Sequence, residues 1–203
     1  MYFYRSFDPY LILTVSFAKI LEMMTDTSRQ FKQAMAMCKE VFMNKMKDYG
    51  SSWRILRTSS LTDQIYIKAN RIRSIEEKGV QKIDEGIKME FIGIVNYSVI
   101  ALIQMELGEY NGLELERTET EKLYDKHLRS ARDLMENKNH DYDEAWRNMR
   151  VSSYTDIILM KLMRIKQIED KEGETLVSEG VDANYRDIIN YALFALIKLE
   201  ETK

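Results

Sequence analysis

The sequence predicts an all-α protein in which a three-helix unit occurs twice in tandem, the two copies packing as one pseudo-twofold bundle. Three observations carry this expectation. The 203-residue chain contains one proline, eight glycines and thirteen methionines with 31% charged residues, a composition of few breakers and many helix formers. Sliding the chain by 93 positions lays Asp48–Lys78 on Asp141–Lys171 without a gap, and 16 of those 31 positions are identical. The last helix of each copy, carrying IVNYSVIALI or IINYALFALI, is apolar around most of its circumference, so it must be surrounded by other helices. A period this long excludes a solenoid, whose repeats run to roughly 20–50 residues.

Residues 1–26 read as an N-terminal extension outside the repeat, with Met23 or Met24 as an alternative start. Its run YLILTVSFA (Tyr10 to Ala18), preceded by Arg5, is long enough for a short signal-peptide core, but Asp8 interrupts the basic leader and Lys19 and Glu22 follow at once. No stretch reaches the ~18–20 apolar residues of a membrane span. A cytoplasmic protein without a membrane partner is therefore expected. The net charge of −3 supplies no basic field for a nucleic-acid backbone, so duplex nucleic acid is not an expected partner. The lone Cys38 sits among small and apolar residues at helical spacing and reads as a buried hydrophobe of a reducing compartment.

The first repeat spans 27–109 and the second 118–203, with 110–117 as a short polar linker that favours one shared core over two tethered domains. Each repeat opens on a capping pattern, Thr27 with Gln30 and Thr118 with Glu121, and a first helix running to about Lys47 or Lys138. A polar turn follows, DYGSSW or DYDEAW, with a short helical piece through Arg57 or Arg150. The second helix begins at a Ser-Ser-x-Thr-Asp cluster, where hydroxyls and Asp63 or Asp156 are placed to accept from free N–H groups, and ends near Gly79 or Gly173. The third helices run from Gly86 to Leu107 and from Gly180 to Leu199.

Residues kept in both copies are those both halves still use. Tyr49/Tyr142, Trp53/Trp146, Ile65/Ile158 and Ile72/Ile165 read most simply as core and turn-packing residues, and the two tryptophans can also stack on a base. The retained polar set is Asp48, Arg54, Arg57, Asp63, Lys68 and Arg71, matched by Asp141, Arg147, Arg150, Asp156, Lys161 and Arg164. Lys68 and Arg71, like Lys161 and Arg164, share one helix face and need an anion between them. That anion is either Asp48 or Glu90 in an ion-pair network, or the phosphate of a ligand. Arg73/Glu77 and Lys166/Asp170 are expected to pair along the helix, whereas Glu76 and Glu169 lack so simple a partner and are candidate cation ligands.

On the third helix Glu90, Gly93 and Asn96 form a row matched by Asn184, Asp187 and Asn190, either buried hydrogen-bond anchors or a site. The acids are divided between the copies, so a mixed carboxylate set would arise only where the axis brings the helices together. Carboxylates are the hard oxygen ligands Mg²⁺ prefers, which makes Glu76, Glu90, Glu169 and Asp187 the candidate metal residues. With His127 and His140 unmatched between the copies and no P-loop, GxGxxG or zinc spacing, hydrolysis would have to be metal-assisted.

The run DYGSSWRILR-x-SSLTDQIYIKANRIRSIEEKG, with DANYRDIINYALFALIKLE closing the second half, resembles a helical family of bacterial and phage proteins described as nucleotide-modification-associated, over about Thr27 to Leu199. More distantly the arrangement is similar to the all-α nucleoside triphosphate pyrophosphohydrolases of the MazG and dimeric dUTPase type, which hold Mg²⁺ with EExxE and ExxD motifs. Here Glu76-Glu77 is followed by Val80 and Glu169-Asp170 by Gly173 where the third acid would stand. The second motif reads Glu90-x-x-Gly93 and Asn184-x-x-Asp187. What these resemblances imply is a Mg²⁺-dependent pyrophosphohydrolase of nucleotide metabolism. Phosphates would be held by Lys68, Arg71, Lys161 and Arg164, with Arg54, Arg57, Arg147, Arg150, Asp48 and Asp141 nearby. The alternative is a non-catalytic nucleotide-binding or scaffold protein, and the sequence permits a homodimer in either case.

Overall fold

The computed structural model describes residues 9–79, 86–108, 114–171, 173–174 and 179–201, with side chains from residue 26 onward. Every regular element among them is helical: α1 (Pro9–Tyr49), α2 (Thr58–Lys78), α3 (Ile87–Leu107), α4 (Arg117–Tyr142), α5 (Val151–Glu169) and α6 (Val181–Glu201), with 3-10 turns at Ser52–Ile55 and Ala145–Asn148. Residues 109–113 and Val80, which stands in place of the first motif's third acid, lie outside the described residues, as do residues 1–8 and the side chains of Tyr10 to Ala18.

The central pair is α3 against α6, with α2 lying on α3, α5 on α6, and α2 on α5; α1 and α4 close the outside. This is the expected duplicated bundle. Its central helices explain why the sequence made them apolar on all sides: Phe91, Ile94, Val95, Val99 and Ile103 of α3 are fully buried, as are Ile188, Ile189, Leu193 and Leu196 of α6. By length and composition α3 could cross a membrane, but 72% of its most apolar window is buried inside the bundle. Ile65, Ile72, Ile158 and Ile165 are fully buried beneath α2 and α5, as read from the repeat.

The relation between the copies extends to hydrogen bonds. Asn96 donates to the Cys38 carbonyl at 3.1 Å and Asn190 to the Ala131 carbonyl at 2.9 Å, so each third helix is anchored to its own first helix by one amide at an equivalent position. These asparagines are anchors. Thr62 of α2 donates to Glu169 of α5 at 2.9 Å, and Thr155 of α5 to Glu76 of α2 at 3.2 Å, a reciprocal exchange across the pseudo-twofold contact.

Several local expectations are corrected. Thr27 does not cap a helix: α1 runs through it unbroken, and the residue is buried. In the second copy the helix starts earlier, with Glu116 at its N-cap and no side-chain cap, so Thr118 lies inside the first turn. The Ser-Ser-x-Thr-Asp clusters do not cap either, since Arg57 and Arg150 occupy the N-cap positions without side-chain caps. Asp63 instead accepts from Lys166 at 2.6 Å, and this contact draws Lys166 away from the expected Asp170 partner. Arg73 and Glu77 do pair, at 3.1 Å. Tyr49 and Tyr142 are not core residues but stand 58% and 70% exposed at the ends of α1 and α4.

Candidate functional site

The turn after α1 reverses through Gly50 at φ +59, which swings Trp53 back beneath the helix it has just left. Its indole N–H donates to Met46 Sδ at 3.4 Å, fixing the ring against α1. Beside it opens a cavity of about 390 Å³ bounded by α1, the 3-10 turn, α2 and α3. Its wall is apolar and aromatic, with Phe42, Trp53, Tyr97 and Ile100, while its charged lining residues are Lys45, Lys68 and Glu90. That is a small-molecule geometry, a mostly apolar hollow with few polar groups.

Lys68 reaches Glu90 at 3.2 Å, and Arg71 binds the other oxygen of the same carboxylate. The anion between the two cations is therefore Glu90, the ion-pair alternative of the sequence reading. Asp48 is exposed and takes no part. The lysine chain runs so close over Gly93 that a Cβ there would lie 2.7 Å from Lys68 Cε. Only glycine leaves that passage clear. Lys45 is exposed at the rim and forms no ion pair among the described residues, so two cations face one carboxylate in the lining.

The equivalent place in the second repeat is built differently. Lys138 and Lys161, counterparts of Lys45 and Lys68, both donate to Asp187, at 2.6 and 2.5 Å. Burial alone would raise the Asp187 pKa, but the two ammonium groups outweigh it and hold the carboxyl below the usual range. Asp187 stands where the first copy has Gly93, and Asn184, where the first copy has Glu90, turns back to donate to the Gly180 carbonyl at 2.9 Å. The acid has moved one helical turn while keeping its lysine. Phe194, in place of Ile100, lies flat on Trp146 with ring centroids 4.3 Å apart and planes 9° apart.

The remaining basic residues are brought elsewhere. Arg54, 4% exposed, binds the Gln104 side chain and the Gly108 carbonyl, tying the turn to the end of α3. Arg147 binds Thr27 and Gln30 of α1 together with Glu144 and Glu201, joining the first repeat to the C-terminal end of α6. Its guanidinium also covers the Trp146 ring at 4.4 Å. Arg57 borders a separate hollow with Thr58, Gln104 and Met105. Arg150, Arg164 and Asp141 are exposed, Asp141 beside His140. Arg54 and Arg147 are thus internal staples, and the cavity draws on Lys45 and Tyr97, which the sequence reading did not select. The identity of Lys45 with Lys138, just outside the gapless block, was the available signal.

The four candidate metal acids separate into two kinds. Glu90 and Asp187 are each taken up by two cations. Glu76 and Glu169 accept from threonine hydroxyls across the α2–α5 contact, and burial there raises both pKa values. Mg²⁺ needs several oxygen ligands converging on one point. Among the described residues no group of three His, Cys, Asp or Glu is so arranged.

Comparison with known proteins adds one finding. The family model described as "Nucleotide modification associated domain 1" matches residues 45–105 and again residues 138–199. Each match falls within one of the two repeats. No curated protein and no solved structure matches the chain.

Proposed function

The chain belongs to the nucleotide modification associated domain 1 family, and from that premise we propose that its first repeat binds a nucleotide without hydrolysing it. The observation that carries this reading is the cavity of about 390 Å³ lined by Trp53 and Tyr97 together with Lys45 and Lys68. A flat apolar surface suits a nucleobase and a pair of ammonium groups suits a phosphate. The pyrophosphohydrolase reading requires convergent acids, whereas Glu90 and Asp187 serve lysines of different repeats. Binding without metal-assisted hydrolysis is therefore the reading the geometry favours.

Titration of nucleoside 5′-phosphates, followed by tryptophan emission and by calorimetry, tests it. Saturable binding that is unchanged by Mg²⁺ and is lost in Trp53→Ala is expected. No saturable signal from any nucleoside phosphate up to millimolar concentration would reject nucleotide binding, and release of pyrophosphate in the presence of Mg²⁺ would reject the non-catalytic reading.

A further inference from the structure

The two repeats share the aromatic and basic framework of this region: Trp53 with Trp146, Tyr97 with Tyr191, Lys45 with Lys138, Lys68 with Lys161. They differ at three places that bear on what fills it: Glu90 against Asn184, Gly93 against Asp187 and Ile100 against Phe194. In the second repeat the contents are visible. A planar ring, Phe194, is stacked on Trp146 at 4.3 Å and meets Tyr191 edge-on at 6.2 Å, and an anionic group, Asp187, is held by both lysines. In the first repeat the same tryptophan, tyrosine and lysines border an open cavity.

We infer that the second repeat is filled by a covalent mimic of the ligand, and that the first repeat binds one nucleoside monophosphate per chain in the corresponding place. Phe194 stands for the base and Asp187 for the phosphate. This rests on the nucleotide reading of the first-repeat cavity and goes further by fixing the ligand's length, charge and stoichiometry.

Length follows from helix geometry. Phe194 and Asp187 are seven residues apart on α6, about 10 Å along its axis, a span bridged by a base, its ribose and one 5′-phosphate. Charge follows from the lining. Among the described residues its charged groups are Lys45, Lys68 and Glu90, and Glu90 is already held by Lys68 and Arg71, so Lys45 is left to meet one phosphate while the outer groups of a triphosphate gain no further cation. Stoichiometry follows from the filled copy, since Phe194 and Asp187 leave the second framework already satisfied.

Calorimetry on the full chain with a nucleoside, its 5′-monophosphate and its 5′-triphosphate tests each element. One monophosphate should bind per chain, at least tenfold tighter than the nucleoside, with the triphosphate no tighter than the monophosphate. Transplanting the mimic by G93D/I100F should lower monophosphate affinity a hundredfold or more while helical circular dichroism is unchanged. Removing it by D187G/F194I should raise the stoichiometry to two. If that second variant unfolds, G93D/I100F and the native stoichiometry decide between them. Two sites in the native chain, undiminished binding by folded G93D/I100F, or a triphosphate more than tenfold tighter would overturn the inference while leaving nucleotide binding intact. Absence of binding by every nucleoside phosphate, in native chain and in folded D187G/F194I alike, would instead remove the reading beneath it.

Discussion

Tyr124 donates its hydroxyl to Asn96 Oδ1 at 2.7 Å, and the same place in the other repeat is held by Phe31, which has no hydroxyl to give. Asn190 Oδ1, the counterpart acceptor, is accordingly buried without a partner. Leaving a buried acceptor unmet costs about 1–3 kcal/mol. Tyr124→Phe should therefore destabilise the protein by about 1–3 kcal/mol in urea unfolding at unchanged m value. Phe31→Tyr should be far less harmful than other insertions of a polar group into the core, since its hydroxyl has an acceptor waiting. A loss as large as that of Tyr124→Phe would show that the two repeats differ in packing there.

Asp187 gives a second prediction, because its carboxylate accepts from two lysines at once. Lys161 is 11% exposed at its side chain and Lys138 47%, so the network is half buried, half wet. Asp187→Asn should cost about 2 kcal/mol, less than the roughly 3–5 kcal/mol of a fully buried pair that loses one member. The pH dependence has a definite sign. A carboxyl held below its ordinary pKa binds fewer protons folded than unfolded, so its contribution is complete above the unfolded value of 3.8 and is lost as pH falls through the folded value. Thermal unfolding of native chain and variant should converge on acidification and diverge toward neutrality.

Glu76 and Glu169 should behave in the opposite sense. Burial raises both pKa values, partly offset by the threonine hydroxyls, so the folded state binds more protons than the unfolded one just above the ordinary carboxylate range. Their ionisation weakens the fold as pH rises through that window. The double variant Glu76→Gln/Glu169→Gln keeps an acceptor for each threonine and removes the charge. It should melt at or above the native temperature at pH 7 and show a shallower decline between pH 4.5 and 7; a lower melting temperature at pH 7 would refute this.

These residues also show what could be read before the fold was known. The duplication exposed the helices, the all-round apolarity of α3 and α6 and the need of Lys68 and Arg71 for a shared anion, because those depend on residue type at helical spacing. The roles of Thr27 and Arg147 were not legible. Thr27 looks like a cap in one dimension, and only the continuity of α1 and the approach of α6 turn it into an acceptor for Arg147. The candidate site was hidden for a related reason. Positions identical in both repeats mark the shared frame, whereas the cavity is opened by Gly93 and Ile100, where the repeats disagree.

Arg54 tests the distinction between staple and site. It is buried, binds Gln104 and the Gly108 carbonyl, and does not border the cavity. Arg54→Met removes a charged donor from the buried Gln104 side chain and from the less buried Gly108 carbonyl, and should cost about 2 kcal/mol of stability. Nucleotide affinity of the folded fraction, measured by calorimetry well below the unfolding transition, should stay within threefold of native. A variant of native stability that no longer binds nucleotide would return Arg54 to the site.

Lys45 should show the reverse pattern. Its side chain is exposed at the cavity rim and forms no ion pair among the described residues, so its removal breaks no internal contact. Surface substitutions of this kind change stability by less than about 0.5 kcal/mol. A phosphate that takes its charge-assisted bond from Lys45 would lose roughly 1.5–3 kcal/mol of binding in Lys45→Met, about ten- to a hundredfold in affinity. The unphosphorylated nucleoside makes no such bond, and its affinity should be unchanged. Lys138→Met is the matched control, because its ammonium is already bound to Asp187. It should lose stability and keep nucleotide affinity. Equal effects of the two lysine variants on binding would mean that the cation at the rim of the first repeat does not meet the phosphate.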